Sequence, residues 1–310
     1  MRTAVYTGAQ TKHNIFKGAY MSALTRQIGP YTTTAIGLGC MGLSIEKKPS
    51  REEAIAIIHD ALNAGCRHLD TAWAYYMSGG EEQHNEKLIR EALASWDGPR
   101  EEVLVATKSG HFRNFTDGVP TWDVNGAPES LITYGKQSAH ALGVDSIDLL
   151  YFHRPDPKVP YNESIEGMKS LYDQGVAKTI GISNASVEQI DIARSILGDA
   201  LVAVQNQLSP IYKDSLDTVE YTRKLGLAFV VWSPLGGFRK PKDESKYDVF
   251  KQVAAEHGVS YQQIVLAWEL AMGDHMFVLP GTHRSATILD SMKADSVELS
   301  ADELDLLNCG

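Results

Sequence analysis

The sequence predicts a single (β/α)₈ barrel, and three observations indicate it. Eight short apolar runs alternate with helical patterns along the 310 residues, and no stretch of biased composition divides the chain in two. Units of about 30 residues, each a strand followed by a helix, are typical of a closed barrel rather than of two domains. With 43% hydrophobic residues, the chain is also long enough to bury the large core that a barrel needs.

The eight apolar runs are interpreted as strands. They are continuous rather than alternating, which is typical of strands buried on both faces of a parallel sheet. The runs cover residues 34–39, 67–71, 102–107, 148–152, 178–183, 201–205, 228–232 and 276–280.

Helix signals lie between the runs. Four serines are each followed three residues later by Glu or Gln, the pattern of a capping box. They are Ser50, Ser186, Ser260 and Ser300. Apolar residues at helical spacing, such as Ile165 and Met168, precede a helix end at Gly175. Two connections are long, residues 109–127 after the third strand and 233–247 after the seventh, and we expect functional or mobile irregular loops there.

We expect the barrel to occupy residues 25–310 and residues 1–24 to form an N-terminal extension. The first twenty residues lack the charged start and the apolar stretch of a signal peptide, and regular patterning begins after Met21. We hypothesise that native translation starts at Met21 and that the extension is not native. The alternative is an arm that lies over the domain.

Composition narrows the functional classes. The net charge of −10 disfavours a nucleic-acid surface. The three cysteines, Cys40, Cys66 and Cys309, are too far apart for a disulfide framework or a zinc site and favour a reducing cytoplasm. No apolar run approaches the roughly 20 residues of a membrane-spanning helix. We therefore expect a cytoplasmic protein whose partner is a small molecule, neither nucleic acid nor membrane.

Polar residues gather at the predicted C-terminal ends of the strands, where such barrels carry their active sites. Asp70, Lys108 and His153 end the second, third and fourth strands, and Tyr75 follows Asp70 by five positions. The later strand ends carry Ser183 and Asn184, Asn206 and Gln207, and Trp232 and Ser233. Each residue alone has an ordinary structural explanation, but their convergence on one mouth favours a catalytic site.

The four residue types together predict proton delivery to an oxygen atom. A lysine cation favours tyrosinate and so lowers the pKa of tyrosine from its ordinary value of about 10. Asp70 would hold Lys108 in place, and His153 would donate a hydrogen bond to a carbonyl oxygen. Since no serine or cysteine stands in a nucleophile motif, hydride from a bound cofactor would attack the carbonyl carbon.

These motifs resemble those of the aldo-keto reductases, from about residue 25 to the C-terminus. The segments GCRHLDTAWAYY (65–76), VATKSG (105–110) and DLLYFHRPDP (148–157) place the family's four catalytic residues on Asp70, Tyr75, Lys108 and His153. The resemblance implies an enzyme that reduces aldehydes or ketones with NADPH, with Tyr75 as the proton donor. HRPDPKVP (153–160) resembles the branch that contains pyridoxal reductases, a hint about the substrate.

The resemblance also implies a cofactor site along the strand ends. GISNAS (181–186) and VQNQLSP (204–210) imply that Ser183, Asn184 and Gln207 hold the nicotinamide carboxamide, and VVWSPLGG (230–237) implies that Trp232 stacks on the ring. The other implied cofactor-binding residues are Gly39, Cys40, Met41, Ser233, Pro234, Leu235, Gly236, Gly281, Thr282 and Arg284.

GLGCMG (37–42) matches the G-x-G-x-x-G pattern, but a dinucleotide-binding fingerprint needs a helix that starts inside the motif. The first helix signal here is Ser50, so a Rossmann domain is disfavoured. We expect Gly39 and Gly42 to let the backbone run close to a ligand.

The adenosine end departs from the family pattern. Gly281 stands where many members have lysine, Thr287 where they have arginine, and Asp290 and Ser291 where they have Glu and Asn. Arg284 is an alternative partner for a 2′-phosphate, because a guanidinium suits phosphate oxygens, or else a solvated residue at a helix start. NADPH is expected to be preferred, with NADH as the alternative.

Aromatic residues of the loops are expected to line the substrate pocket. They are Trp73, Tyr76, Phe112, Phe115 and Trp122. Two other functions stay open. One is a nucleotide-binding sensor that docks to another protein with little turnover. The other is a metal-dependent hydrolase, which His68 and Asp70 support poorly because the first strand offers no His-x-His ligands. Substrate, reaction direction and oligomeric state are not fixed by the sequence.

Overall fold

The structure is a computed structural model that describes residues 23–117, 119–237 and 244–309. Twelve strands and ten α-helices lie within these residues. The strands are β1 (Thr25–Ile28), β2 (Tyr31–Thr34), β3 (Leu38–Gly39), β4 (His68–Asp70), β5 (Leu104–Ser109), β6 (His111–Thr116), β7 (Val119–Val124), β8 (Leu149–Phe152), β9 (Ile180–Ser183), β10 (Leu201–Gln207), β11 (Ala228–Trp232) and β12 (Met276–Leu279).

The predicted barrel is confirmed. Eight strands hydrogen-bond side by side in the order β3, β4, β5, β8, β9, β10, β11, β12, and all neighbours are parallel. Parallel bridges from Ile36 to Val278 and from Gly39 to Gly281 join the first strand to the last and close the sheet. Each predicted apolar run contains residues of one barrel strand.

The helices surround this sheet. They are α1 (Arg51–Asn63), α2 (His84–Ala94), α3 (Pro128–Leu142), α4 (Tyr161–Asp173), α5 (Val187–Leu197), α6 (Leu216–Leu225), α7 (Asp248–His257), α8 (Tyr261–Leu270), α9 (Ser285–Met292) and α10 (Ala301–Cys309). Short 3₁₀ turns lie at Met41–Leu43, Arg100–Glu102, Gly198–Ala200, Glu244–Tyr247 and Lys293–Ser296. Within the described residues, no helix is long and apolar enough to cross a membrane.

Three of the four predicted capping boxes are present. They begin at Ser50, Ser186 and Ser300. At the fourth, Ser260 accepts from the Gln263 N–H as expected, but the prediction for the Gln263 side chain is wrong. Its amide donates to Asp290 Oδ1 at 2.7 Å, because that carboxylate offers a charged acceptor.

Along each barrel strand the side chains point alternately inward and outward, and the inward-pointing set fills the interior of the barrel. The interior cluster includes Leu104, Ala106, Leu149, Tyr151, Ala203, Ala228, Val230, Phe277 and Leu279. The outward-pointing side chains pack against the helices in a larger outer core. Because side chains alternate between faces, Lys108 and His153, two positions beyond Ala106 and Tyr151, also face the interior, at its C-terminal mouth.

A hairpin that the sequence analysis missed closes the opposite end of the barrel. Strands β1 and β2 pair in antiparallel fashion, and Ile28 beside their turn is fully buried in the interior cluster. The turn requires glycine at Gly29, which has a φ of +52° and whose added Cβ would lie 2.5 Å from Val202 Cγ1.

The expectation of an irregular loop over residues 109–127 is wrong. Strands β6 and β7 form an antiparallel hairpin that is in register from His111 and Val124 to Thr116 and Val119. Aromatic and β-branched residues in both segments favour strands. The hairpin follows β5 directly, so it stands beside the mouth.

Two other predictions fall partly outside the described residues. The extension, residues 1–24, is described only from residue 23, so the hypothesis about Met21 stays a prediction. The connection 233–247 includes residues 238–243, which also lie outside the described part.

Candidate active site

Asp70 and Lys108 form a buried ion pair at the mouth of the barrel. Lys108 Nζ donates to Asp70 Oδ1 and, at 2.8 Å, to the carbonyl oxygen of Thr71. The other Asp70 oxygen accepts from Gln205 Nε2 at 2.9 Å. Burial lowers the pKa of Lys108, but Asp70 and Tyr75 raise it, and the net pKa lies above its ordinary range. Lys108 is therefore a fixed cation whose burial is compensated by its partners.

Tyr75 lies in the turn after β4, within reach of that cation. Its N–H donates to the Ala72 carbonyl oxygen at 3.1 Å, and its own carbonyl accepts from the N–H of Asn85 at 3.2 Å. Lys108 Nζ is 5.4 Å from the centre of the Tyr75 ring. Burial raises the pKa of the Tyr75 hydroxyl, and the Lys108 cation opposes this rise without cancelling it. The expected influence of Lys108 is present, but the net pKa is raised, which keeps the phenol protonated at neutral pH.

His153 completes the group from the end of β8. Its ring lies edge-on to Tyr75 at 6.0 Å between centres, and edge-on to His111 at 4.6 Å. Burial, followed by the charges of His111 and Lys108, holds the pKa of His153 well below its ordinary range. The imidazole is therefore neutral at pH 7 and can donate one hydrogen bond. The structure thus brings all four predicted catalytic residues to one place.

Gln205 is a site residue that the sequence analysis missed. Asn206 and Gln207 were the residues predicted at the end of β10, yet Gln205 is the residue that bonds to Asp70. Asn206 points to the other face, where it exchanges hydrogen bonds of 3.0 and 2.9 Å with the backbone of Ala185. Strand alternation was the available signal, since Gln205 and Gln207 share the parity of the barrel interior.

Asn85 is a second missed residue, and it supports the site from behind. This fully buried side chain on α2 donates to the Cys40 carbonyl oxygen at 2.9 Å and to Ser44 Oγ at 2.7 Å. It accepts from Thr71 Oγ1 at 2.6 Å. Since the Thr71 carbonyl binds Lys108, Asn85 ties α2 to the segment that holds the cation.

The residues implied to hold nicotinamide lie side by side on β9, β10 and β11. Ser183 Oγ donates to the Gln205 carbonyl oxygen at 2.7 Å, and Asn184 Nδ2 donates to the His153 carbonyl oxygen at 3.0 Å. Asn184 and Ser233 adopt left-handed backbone conformations, with φ of 57° and 53°. Such conformations in residues other than glycine concentrate at ligand-binding sites.

Two buried side-chain nitrogens at the mouth are not used in hydrogen bonds within the described residues. Trp232 Nε1 and His153 Nδ1 have no hydrogen-bond partner among the described residues. Buried polar atoms normally find partners, so both nitrogens stay available to a bound group. Beyond Trp232 the chain turns sharply, with Pro234 and Leu235 between a Ser233 carbonyl and a Gly236 N–H that bond at 2.9 Å.

Glycines of the GLGCMG segment also lie close to other parts of the protein, and their approach to a ligand stays a prediction. A Cβ on Gly39 would lie 3.0 Å from the Leu279 carbonyl oxygen, and one on Gly42 would lie 3.0 Å from His283 Nε2. Cys40 is fully buried, and its N–H donates to the Asp70 carbonyl oxygen at 2.9 Å. Met41 is partly exposed. Of the four, Met41 offers the side chain most accessible to a cofactor.

The adenosine-end residues are more exposed. Thr282 is buried, and its Oγ accepts from the Arg284 N–H at 2.9 Å. Arg284 and Gly281 are exposed, and Arg284 stands directly before α9. Asp290 is already bonded to Ser260 Oγ at 2.6 Å and to Gln263, so its carboxylate serves the protein.

The predicted pocket aromatics are only partly brought together. Trp73 packs edge-on against Tyr76 at 5.7 Å, and Tyr76 lies 5.9 Å from Phe115. Trp122 stacks on His111 at 4.9 Å, which joins the hairpin to His153. Alternation along β6 places Phe112 on the hairpin face opposite to this cluster.

Metal ligation finds no support in the geometry. Across residues 23–117, 119–237 and 244–309, no group of three or more His, Cys, Asp or Glu side chains is arranged to hold a metal ion. His68 is fully buried and lies edge-on to Phe277 at 6.2 Å, and its burial lowers its pKa to about 4.

Comparisons with known proteins decide the family. The model of the aldo/keto reductase family matches residues 35–308. This chain belongs to the aldo-keto reductase family. Members of the family use nicotinamide cofactors and act on small carbonyl compounds.

Individual relatives and a solved structure support the same family assignment. The chain is 30% identical to an uncharacterized oxidoreductase of Schizosaccharomyces pombe, over 90% of this chain and 87% of that protein. It is 30% identical to a probable aldo-keto reductase 1 of Glycine max, over 88% and 84%. The crystal structure of the thermostable aldo-keto reductase Tm1743, in complex with the inhibitor epalrestat, matches with a TM-score of 0.77 and 26% identity, over 92% of this chain and 99% of that one.

Proposed function

We propose that this aldo-keto reductase reduces an aldehyde or ketone to an alcohol, with Tyr75 as the proton donor. The observation that carries the proposal is one cluster at the mouth. A charged Lys108 lies 5.4 Å from the Tyr75 ring centre, and a neutral His153 stands edge-on to the same ring. A protonated phenol, a cation that favours its anion and a neutral hydrogen-bond donor are the parts that carbonyl protonation needs.

Each residue of the cluster has its own role in this reduction. When bound, the reduced nicotinamide supplies hydride to the carbonyl carbon. Tyr75 gives its hydroxyl proton to the carbonyl oxygen as negative charge develops there, and Lys108 stabilises the tyrosinate that remains. Asp70 and Gln205 keep Lys108 in position, and neutral His153 orients the carbonyl oxygen by donating a hydrogen bond.

Cofactor binding is proposed along the later strand ends. Ser183, Asn184 and Gln207 would hold the carboxamide and Trp232 would stack on the ring, next to the acid cluster. Ser233, Leu235 and Gly236 would follow the pyrophosphate, and Arg284 would meet the 2′-phosphate of NADPH. Support comes from the left-handed backbone at Asn184 and Ser233.

A panel of aldehydes and ketones, assayed by the absorbance of NADPH and of NADH, tests the function. We expect turnover of several carbonyl compounds with NADPH and slower turnover with NADH. Tight NADPH binding without turnover of any compound would contradict the proposal and support the docking sensor instead. The cytoplasmic location stays a prediction, which agrees with the free thiols of Cys40, Cys66 and Cys309.

A further inference from the structure

Strand β6 of the hairpin beside the mouth carries a buried arginine, Arg113. Its side chain is only 1% exposed. It stands directly opposite Trp122 of β7, and its guanidinium carbon lies 4.5 Å from the centre of the Trp122 ring and 5.7 Å from that of Phe115. Burying a cation is costly unless charges and hydrogen bonds compensate it, so the partners of Arg113 show what the residue holds together.

Three hydrogen bonds join Arg113 to Tyr76, the residue directly after Tyr75. Arg113 Nη1 donates to the Tyr76 carbonyl oxygen at 2.7 Å. The Arg113 N–H donates to the Tyr76 hydroxyl oxygen at 3.1 Å, and that hydroxyl donates to the Arg113 carbonyl oxygen at 3.2 Å. Arg113 therefore fixes Tyr76 at its backbone and at the far end of its side chain.

The same guanidinium reaches a third part of the mouth. Arg113 Nη2 pairs with the carboxylate of Glu46, which lies in the connection between β3 and α1. Strands β3, β4 and β5 are neighbours in the sheet, and Glu46, Tyr76 and Arg113 follow them in that order. One guanidinium thus ties together the chain segments that follow three adjacent barrel strands.

The turn that carries Tyr75 is consequently held from two sides. From α2, the Asn85 N–H donates to the Tyr75 carbonyl oxygen at 3.2 Å. From the hairpin, Arg113 holds the next carbonyl, that of Tyr76. Two successive carbonyl groups are fixed in this way, which restricts where the Tyr75 side chain can aim. A misplacement of about 1 Å in a reacting group can lower a rate by about 10²-fold.

We propose that Arg113 is a positioning residue that aims the Tyr75 hydroxyl through Tyr76. In this role Arg113 contacts neither substrate nor cofactor. The hairpin β6–β7 then serves proton transfer, because it carries the arginine that holds the proton donor in place. This inference rests on the proposed function, since it concerns the same reduction.

A double-mutant cycle tests the inference. Arg113→Met is made in wild type and in Tyr75→Phe, and the single-turnover rate of NADPH oxidation is measured at saturating NADPH and aldehyde. In wild type the rate should fall about 10- to 100-fold, because the phenol is no longer held in line with the carbonyl oxygen. In Tyr75→Phe no phenol is left to aim, so the same substitution should change the rate by less than about twofold.

The conservative variant Arg113→Lys gives a graded result. Its ammonium can still pair with Glu46, but it lacks the planar fork that reaches the Tyr76 carbonyl at the same time. The single-turnover rate of this variant should lie between those of wild type and Arg113→Met. If Arg113→Met fails to fold, the cycle is run with Arg113→Lys instead.

Arg67→Met is the matched control. Arg67 is also an arginine beside an indole and a carboxylate, 5.1 Å from the centre of the Trp96 ring and 3.3 Å from Glu102 Oε2. It precedes β4, at the end of the barrel away from the mouth. Its loss should lower the free energy of unfolding and leave the single-turnover rate unchanged.

Equal rate losses from Arg113→Met in the two backgrounds would overturn the inference, because Arg113 would then act on the substrate or the fold rather than on Tyr75. A wild-type rate in Arg113→Met would overturn it as well. Both results are distinct from failure of the proposed function, which would appear as a wild-type protein that reduces no carbonyl compound.

Discussion

The two ends of the barrel mouth are built differently. At the acid end, formed by Asp70, Tyr75, Lys108 and His153, every side chain is buried. At the adenosine end, formed by Gly281, Thr282 and Arg284, only Thr282 is buried. Under the proposed function, the barrel itself would fix the geometry of proton transfer, whereas exposed side chains would choose between cofactors. Substitutions at the acid end should therefore change turnover and stability, and those at the adenosine end should change affinity for one cofactor.

Lys108→Met should produce the largest change. It removes the cation that supports tyrosinate, so turnover should fall at least about 10²-fold. The pKa of Tyr75 should rise further, and the high-pH limb of the activity profile should move to higher pH. A pH profile of carbonyl reduction measures the shift. An active variant whose profile stays in place would remove Lys108 from the tuning of Tyr75.

The same substitution leaves the Asp70 carboxylate buried without its cation, so the free energy of unfolding should fall by about 3–5 kcal/mol. The double variant Lys108→Met with Asp70→Asn removes both charges and serves as the control. It should recover most of the stability and none of the activity, as measured by urea unfolding and by turnover. Recovered activity would mean that Lys108 acts on folding alone.

Glu86 extends the buried polar network to the outer face of β5. Its carboxyl accepts from Thr107 Oγ1, and burial raises its pKa from 4.5 to about 7. Below pH 4.5 the group is protonated in both the folded and the unfolded chain. As pH rises to about 7 only the unfolded chain ionises it, so stability falls by about 1.4 kcal/mol per pH unit. Above that range the loss is constant.

Glu86→Gln should remove this pH dependence, because an amide keeps the shape and cannot ionise. The unfolding free energy of the variant, relative to wild type, should rise by about 3 kcal/mol between mildly acid and slightly alkaline pH. Urea unfolding at a series of pH values measures it. A difference that is the same at every pH would show that Glu86 titrates normally in the folded protein.

Arg284→Ala tests the adenosine end, where we expect a smaller effect that is confined to one cofactor. Loss of a guanidinium–phosphate contact of roughly 1.5–3 kcal/mol should weaken NADPH about 10- to 150-fold. NADH lacks the phosphate and should bind as before. Quenching of tryptophan fluorescence gives both dissociation constants, and Lys293→Ala, an exposed cation just beyond α9, is the matched control. Equal weakening of both cofactors would place Arg284 away from the phosphate.

Much of the fold could be predicted because each barrel strand is a continuous apolar run with a helix signal after it. The hairpins β1–β2 and β6–β7 could not be predicted. Strands β1 and β2 contain mostly polar residues, TRQI and YTTT, and gain their burial from contact with the barrel end. Strands β6 and β7 lie within a segment whose length alone suggested a loop.

The site residues also divide into those that the sequence predicts and those that only the closed barrel reveals. Asp70, Lys108 and His153 were found because they end strands that share one mouth. Gln205 was missed because its partner Asp70 is 135 residues away, a pairing that appears only when the barrel closes. Asn85 was missed because nothing in a helix sequence shows that one residue bonds to three loop atoms.

Tyr75→Phe tests the central claim most directly. The measurement is the single-turnover rate of NADPH oxidation by a carbonyl compound, with deuterated NADPH to show that hydride transfer limits the rate. We predict a fall of at least about 10²-fold with NADPH affinity nearly unchanged, because one oxygen is lost and the ring remains. Tyr172→Phe, on the exposed side of α4, should match wild type. A wild-type rate in Tyr75→Phe under these conditions would contradict the assignment of Tyr75 as the proton donor.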